Sequence, residues 1–153
     1  MDKKKIPVKR VGIVSLKLVK ESSVLYETRK ISNPYDAYKL AKNFLVDSDK
    51  EKFVVVCLDR KNQPVSIEVV SIGTINSAMV HPREVFKVAI LTNASKIICF
   101  HNHLSGNTDF SREDEVITKI LQKCGEILGI ELVDHIFIGD DDKYFSFKEN
   151  CKI

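Results

Sequence analysis

No Cys-x-x-Cys pair occurs in this chain, and its four cysteines (Cys57, Cys99, Cys124, Cys151) follow no regular spacing. That argues against a zinc knuckle and against a disulfide framework. Three of the four sit inside apolar runs, where free cysteine behaves as a small buried hydrophobe, so reduced thiols and a cytoplasmic setting are expected. No apolar run approaches the roughly eighteen residues of a membrane span. Lys3-Lys4-Lys5 is followed by no h-region or small-residue cleavage site, because Lys17 interrupts Val11–Val19. Neither a membrane partner nor a secretory leader is therefore expected. Internal repeats and low-complexity tracts are missing too. A large charge of one sign is also lacking: the net +3 is too small to argue for nucleic acid by itself.

That small charge is unevenly placed. Residues 1–30 hold nine Lys/Arg and three Asp/Glu, whereas the remaining 123 residues are net −3. A basic N-terminal arm could touch phosphates or an acidic partner. Aromatic residues are not interleaved with its basic cluster as a stacking platform would require, and a solvated terminus is the commoner outcome for such a segment. The 153 residues, 44% hydrophobic and 29% charged, describe one globular domain able to bury roughly two thirds of its unfolded surface.

Val14–Val19 alternates like a strand, and Val24–Arg29 reads as its returning partner after the Glu21-Ser22-Ser23 turn. Asn33-Pro34 opens a first helix, with Asn33 as N-cap and Asp36 in the first turn. The acidic-basic stretch Asp47–Lys50 ends it. Phe53–Leu58 is a continuous apolar run, so a strand covered on both faces is expected, and Val65–Ser71 returns from it as a hairpin. Gly73-Thr74 marks a break before a second helix that begins at Pro82. Lys96–Phe100 is another strand of the buried kind. Ser111–Asp114 opens the longest helix, running to about Leu128. Glu131–Ile138 and Tyr144–Phe147 close the chain as two strands around Gly139–Asp142. Strands and helices interleave, but the hairpins argue for a mixed sheet flanked by helices, an α/β single domain, rather than a parallel one.

The chemistry concentrates in one window. His101-Asn102-His103 leaves the strand, and Ser111 and Asp114 open the helix. Alternation along extended chain turns Ile97, Cys99, His101 and His103 to one side, so both rings can reach one point. A carboxylate at the helix start can fold back to the same point. Two imidazoles and a carboxylate with a fourth position open are the ligand set of a catalytic metal. Ser111-x-x-Asp114 is equally a capping box, and as an isolated pattern that reading is favoured. His81, just before Pro82, reads as a surface residue.

These residues resemble the JAMM motif of the JAB/MPN metalloprotease superfamily. Flanking segments narrow the resemblance to the RadC-like JAB-domain family: Leu58–Asn62, Ser71–Thr74, His81–Phe86, Ser105-Gly106, Asp134-His135 and Ile138-Gly139, over about residues 34–148. The domain is thus 31–153, with 1–30 as a basic arm. The resemblance implies a cytidine-deaminase-like JAB/MPN fold, although the deaminase signature itself is absent. It implies one Zn²⁺ per chain on His101, His103 and Asp114, with Glu51 as general base and Ser111 as oxyanion donor. From the residues alone Glu51 is one of several charges in Asp47–Lys52, and Asp49 competes for the role. His135 would orient a ligand or be structural.

The implied reaction is metal-assisted cleavage of a peptide or isopeptide bond in a peptide or protein substrate. The alternatives are a DNA-binding protein associated with repair, touching nucleic acid through the basic arm, and a non-catalytic MPN scaffold. Contiguous His-Asn-His is not the spread constellation of an HNH nuclease. The family loop usually reads His-Asn-His-Pro-Ser-Gly, with Pro again just before the Ser. Leu104 and Phe110 stand there in this chain and should loosen or reshape the loop without removing ligands.

Overall fold

The computed structural model describes residues 6–46, 48–73 and 80–153. Lys3–Lys5, Asp47 and Thr74 of the segments read above lie outside them. The elements run α1 (Pro34–Leu45), β1 (Lys52–Leu58), β2 (Pro64–Ile72), α2 (Pro82–Leu91), β3 (Lys96–Asn102), α3 (Arg112–Leu128), β4 (Glu131–Ile138) and β5 (Tyr144–Ser146). The strands form one sheet in the order β2-β1-β3-β4-β5. Only β3 and β4 run parallel, joined through α3; β1 is antiparallel to β2 and β3, and β5 to β4.

Both faces of the sheet are covered, which is why β1 and β3 are continuous apolar runs. Val54, Val56, Ile98 and Phe100 pack with α1 through Ala37, Tyr38 and Ala41. Phe53, Val55, Ile97 and Cys99 pack with α2 and α3 through Phe86, Ile117 and Leu121. Odd-numbered residues of β1 and β3 thus face α3, and His101 inherits that side. Cys57 and Cys99 are buried free thiols, while Cys151 is exposed.

Local signals fix the ends of the elements. The Asn33 side chain accepts the Asp36 N–H at 2.9 Å. His81 is more than a surface residue, since its Nδ1 caps α2 by accepting the Arg83 N–H at 3.0 Å. Gly129 ends α3 in the left-handed region (φ 70°), where a side chain would be strained. In the β1–β2 turn, Asp59 Oδ1 accepts the Lys61 and Gln63 N–H groups at 2.8 and 2.9 Å.

One expectation is corrected. No strand occurs among the described residues 6–30, so the hairpin expected at Val14–Val19 and Val24–Arg29 is not formed. An isolated two-stranded hairpin is marginal without a surface to pack on, and this segment lies on none: Val14, Leu16 and Val19 are exposed.

Candidate metal centre

The site is built where β3 meets the start of α3. The strand carries His101 on the α3 side, and Phe53 lies opposite it in the β1 ladder. The α3 cap then brings the carboxylate in. Ser111 is the N-cap and Asp114 the third helical residue of a complete capping box. The Ser111 hydroxyl accepts the Asp114 N–H at 3.1 Å, and Asp114 Oδ2 accepts the Ser111 N–H at 2.7 Å. The hydroxyl also donates to Oδ2 at 2.8 Å. The cap occupies Oδ2, and it leaves Oδ1 facing His101 Nδ1 at 3.1 Å. His103 Nε2 lies 3.5 Å from Oδ2.

His101, His103 and Asp114 offer ligand atoms that all lie within 4.8 Å of one another, and the group could hold a metal ion. Nitrogen and oxygen donors about 2.0–2.2 Å from a tetrahedral zinc sit roughly 3.4 Å apart. The 3.1 Å between His101 Nδ1 and Asp114 Oδ1 is of that size. The second ring nitrogen of His101 is buried with no hydrogen-bond partner, as is His135 Nε2 nearby.

The electrostatics favour a cation. Burial pushes the Asp114 carboxyl up, but the contacts with His101 and His103 and the Ser111 N–H outweigh it and hold the group well below the usual carboxylate range. His103 is raised, first by its contact with Asp114, against the opposing effect of burial; the charges of Asp114 and Glu51 add to the rise.

Glu51 stands beside this cluster. The antiparallel pairing of Phe53 with His101 carries Glu51 to the level of His103, just beyond the ladder. Its Oε1 lies 3.5 Å from the Leu104 N–H. The rival, Asp49, is exposed. Asn102 faces the other way and fastens the two chains at this end. Its Oδ1 accepts the Lys52 N–H at 2.7 Å and its Nδ2 donates to the Lys50 carbonyl at 3.1 Å. Both neighbours of Glu51 are thereby held to the residue between the two histidines.

A family model for the RadC-like JAB domain matches residues 31–152. The chain belongs to that family. A UPF0758 protein of Clostridioides difficile (strain 630) is 56% identical over 124 residues, covering 81% of this chain and 52% of the relative. One from Methanosarcina mazei is 46% identical over 129 residues, 84% of this chain and 56% of its own. One from Desulforamulus reducens is 47% identical over 145 residues, 93% of this chain and 63% of its own, so that match reaches into the arm. The chain thus spans little more than half the length of the first of these relatives. No helix among the described residues is long and apolar enough to cross a membrane.

Within this RadC-like JAB domain the two departures from the family loop have different outcomes. Leu104 is exposed beside His103. Phe110 anchors the loop: its ring centroid lies 4.8 Å from that of Phe147 and 5.4 Å from that of Phe145. His101, His103 and Asp114 still converge.

Three residues have supporting roles that the sequence did not reveal. Thr118, one turn along α3 from Asp114, is buried; its hydroxyl donates to the Asp114 carbonyl at 2.6 Å and lies 2.6 Å from His135 Nδ1. Because that hydroxyl spends its proton on the carbonyl, the His135 Nδ1 must carry the hydrogen between them. His135 thus braces the helix turn that bears Asp114 and does not join the ligand group. Asp134 ties β4 to β5 by accepting the Ser146 hydroxyl at 2.5 Å and the Lys148 N–H at 3.0 Å. Asn102 is the third. An i, i+4 spacing in α3 marks Thr118 in retrospect, but nothing marks Asn102 apart from its place between two histidines.

Proposed function

We propose that this chain is a zinc-dependent hydrolase of the JAMM type, acting on a peptide or isopeptide bond. The observation that carries the reading is the convergence of His101, His103 and Asp114 within 4.8 Å next to Glu51. Two nitrogens and one oxygen leave a fourth position for water or substrate, as catalytic zinc requires. Zinc, when bound, would supply a Lewis acid and bring the pKa of water toward about 7.

The chain's own groups do the rest. The Glu51 carboxylate takes a proton from the attacking water as the carbon–oxygen bond forms, then delivers it to the amide nitrogen as the carbon–nitrogen bond breaks. Ser111 can serve the developing oxyanion by turning its hydroxyl away from Asp114 Oδ2. The Ser111 N–H stays on that oxygen at 2.7 Å, so the carboxylate keeps an anchor while the hydroxyl moves. The His135–Thr118 pair holds the Asp114 turn in place throughout.

Protein purified without chelator from zinc-supplemented medium should carry one zinc per chain by elemental analysis, and Asp114→Asn should carry almost none. Zinc-loaded protein should cleave members of a fluorogenic peptide and isopeptide panel. Glu51→Gln should keep the zinc and lose about 10²–10⁴-fold in rate. Equal rates for Glu51→Gln and the parent would remove Glu51 as the base. A zinc-loaded chain inert across the panel would favour the scaffold reading.

A further inference from the structure

The largest apolar exposure in this molecule is not in a groove but along the N-terminal arm. Val11, Ile13 and Leu16 are 91%, 103% and 77% exposed, and residues 6–30 form no hydrogen bond or ion pair among the described residues. Side chains of this kind in an ordinary terminus would be polar. A run of them left in water marks an interaction surface.

Two features say what covers it. The first is where the arm leaves the fold. The Ile31 N–H donates to the Asn62 carbonyl at 2.9 Å, and Asn62 lies in the turn that opens β2. The arm is therefore rooted beside the outer edge of β2, which pairs with β1 alone. That edge is nine residues long, whereas the other free edge, β5, has three. The second is the match between the two segments. Val11–Val19 (VGIVSLKLV) also has nine residues and carries one charge, Lys17; Pro64–Ile72 (PVSIEVVSI) carries one charge, Glu68. Both are strand-forming sequences, and each spans about 30 Å when extended. Val65, Val69 and Ile72 of the edge strand are themselves exposed.

We infer that Val11–Val19 of one copy adds as an outer strand to β2 of a second copy, and that the exchange is reciprocal. The occupant is a second copy because the arm, although rooted beside its own β2, makes no backbone hydrogen bond to that edge among the described residues. Each arm leaves beside its own acceptor edge, so a twofold axis that satisfies one arm satisfies the other and closes the assembly. Strand addition supplies main-chain hydrogen bonds to a row of edge groups that would otherwise invite uncontrolled pairing.

Light scattering on the eluted 153-residue chain should give twice its 17.4 kDa mass. Amides of Val11–Val19 should be protected from hydrogen exchange. Leu16→Asp with Leu18→Asp should restore the 17.4 kDa species with the same thermal melt of the folded domain and a circular dichroism change no larger than the loss of the added strand. Val69→Asp, on the acceptor strand, should do the same and strip protection from the arm. A monomer with protected arm amides would mean the arm folds back on its own edge, and a dimer that survives both sets of variants would place the interface elsewhere. Either result overturns the inference, as does a monomer whose arm amides become protected only when duplex DNA is added.

Discussion

Acid should weaken this fold through one buried imidazole. His135 is fully enclosed, its ring centroid 5.4 Å from Phe53, 4.4 Å from Phe137 and 5.6 Å from Phe147. Burial, and then the neighbouring His101, push its pKa from the ordinary 6.5 down to about 3. A depressed imidazole stays neutral in the native protein while the unfolded chain takes up a proton below about 6.5. Its contribution is therefore complete above that pH and declines as pH falls toward 3. Near pH 5 the unfolded chain gains about 2 kcal/mol from this single protonation. Asn at position 135 can still meet the Thr118 hydroxyl but cannot be protonated, so His135→Asn should remove that part of the slope. Urea unfolding of both proteins near pH 7 and about pH 5, with chelator present to hold the metal state constant, isolates the effect. The parent should lose about 2 kcal/mol more than the variant on acidification, whatever constant offset the substitution adds. Parallel losses within about 0.5 kcal/mol, the scatter of extrapolated unfolding energies, would refute the assignment of a neutral, buried His135.

Two further substitutions probe the frame of the site. Ser111→Ala removes the acceptor of the Asp114 N–H and a donor to its carboxylate; it should lower stability by about 1–2 kcal/mol, and Ser111→Thr should recover most of that in the same thermal melt. Gly139→Ala would place a Cβ 2.7 Å from both the Gly106 carbonyl oxygen and Thr108 Cγ2. That carbonyl also accepts the Asp140 N–H at 3.0 Å and has little room to retreat. The change should cost about 1–3 kcal/mol and displace NMR signals of residues 104–110; a melt identical to the parent would mean the loop gives way freely.

The helices and most strands were legible because their signals are local and redundant. Asn33-Pro34, His81-Pro82 and the Ser111–Asp114 box each mark a helix start, and period separates α3 from β3. β4 falls on Glu131–Ile138 as read, while β3 runs two residues further than Lys96–Phe100 and takes in His101 and Asn102. Strand parity set Ile97, Cys99 and His101 on one common side, and the packing of Ile97 and Cys99 shows that side to face α2 and α3. The arm was misread for the complementary reason. Alternation in Val14–Val19 records a preference for strand, but a strand exists only where a neighbour offers its edge, and the chain folded on itself offers none there. Glu51 was named through the family resemblance; its nearness to His103 arises from a cross-strand contact. Thr118 and Asn102 act through side-chain bonds that carry no periodic signature.

Asn102 gives the site a ruler. Because its amide spans the Lys52 N–H and the Lys50 carbonyl, the segment bearing Glu51 lies one inter-strand spacing, about 4.8 Å, from the segment bearing the two imidazoles. The gap between Glu51 and the two histidines is thus a property of sheet geometry, which tolerates little variation, and not of the loop from Leu104 to Phe110. That loop can differ, as it does at both of its family prolines, while the spacing between Glu51 and the histidines is kept.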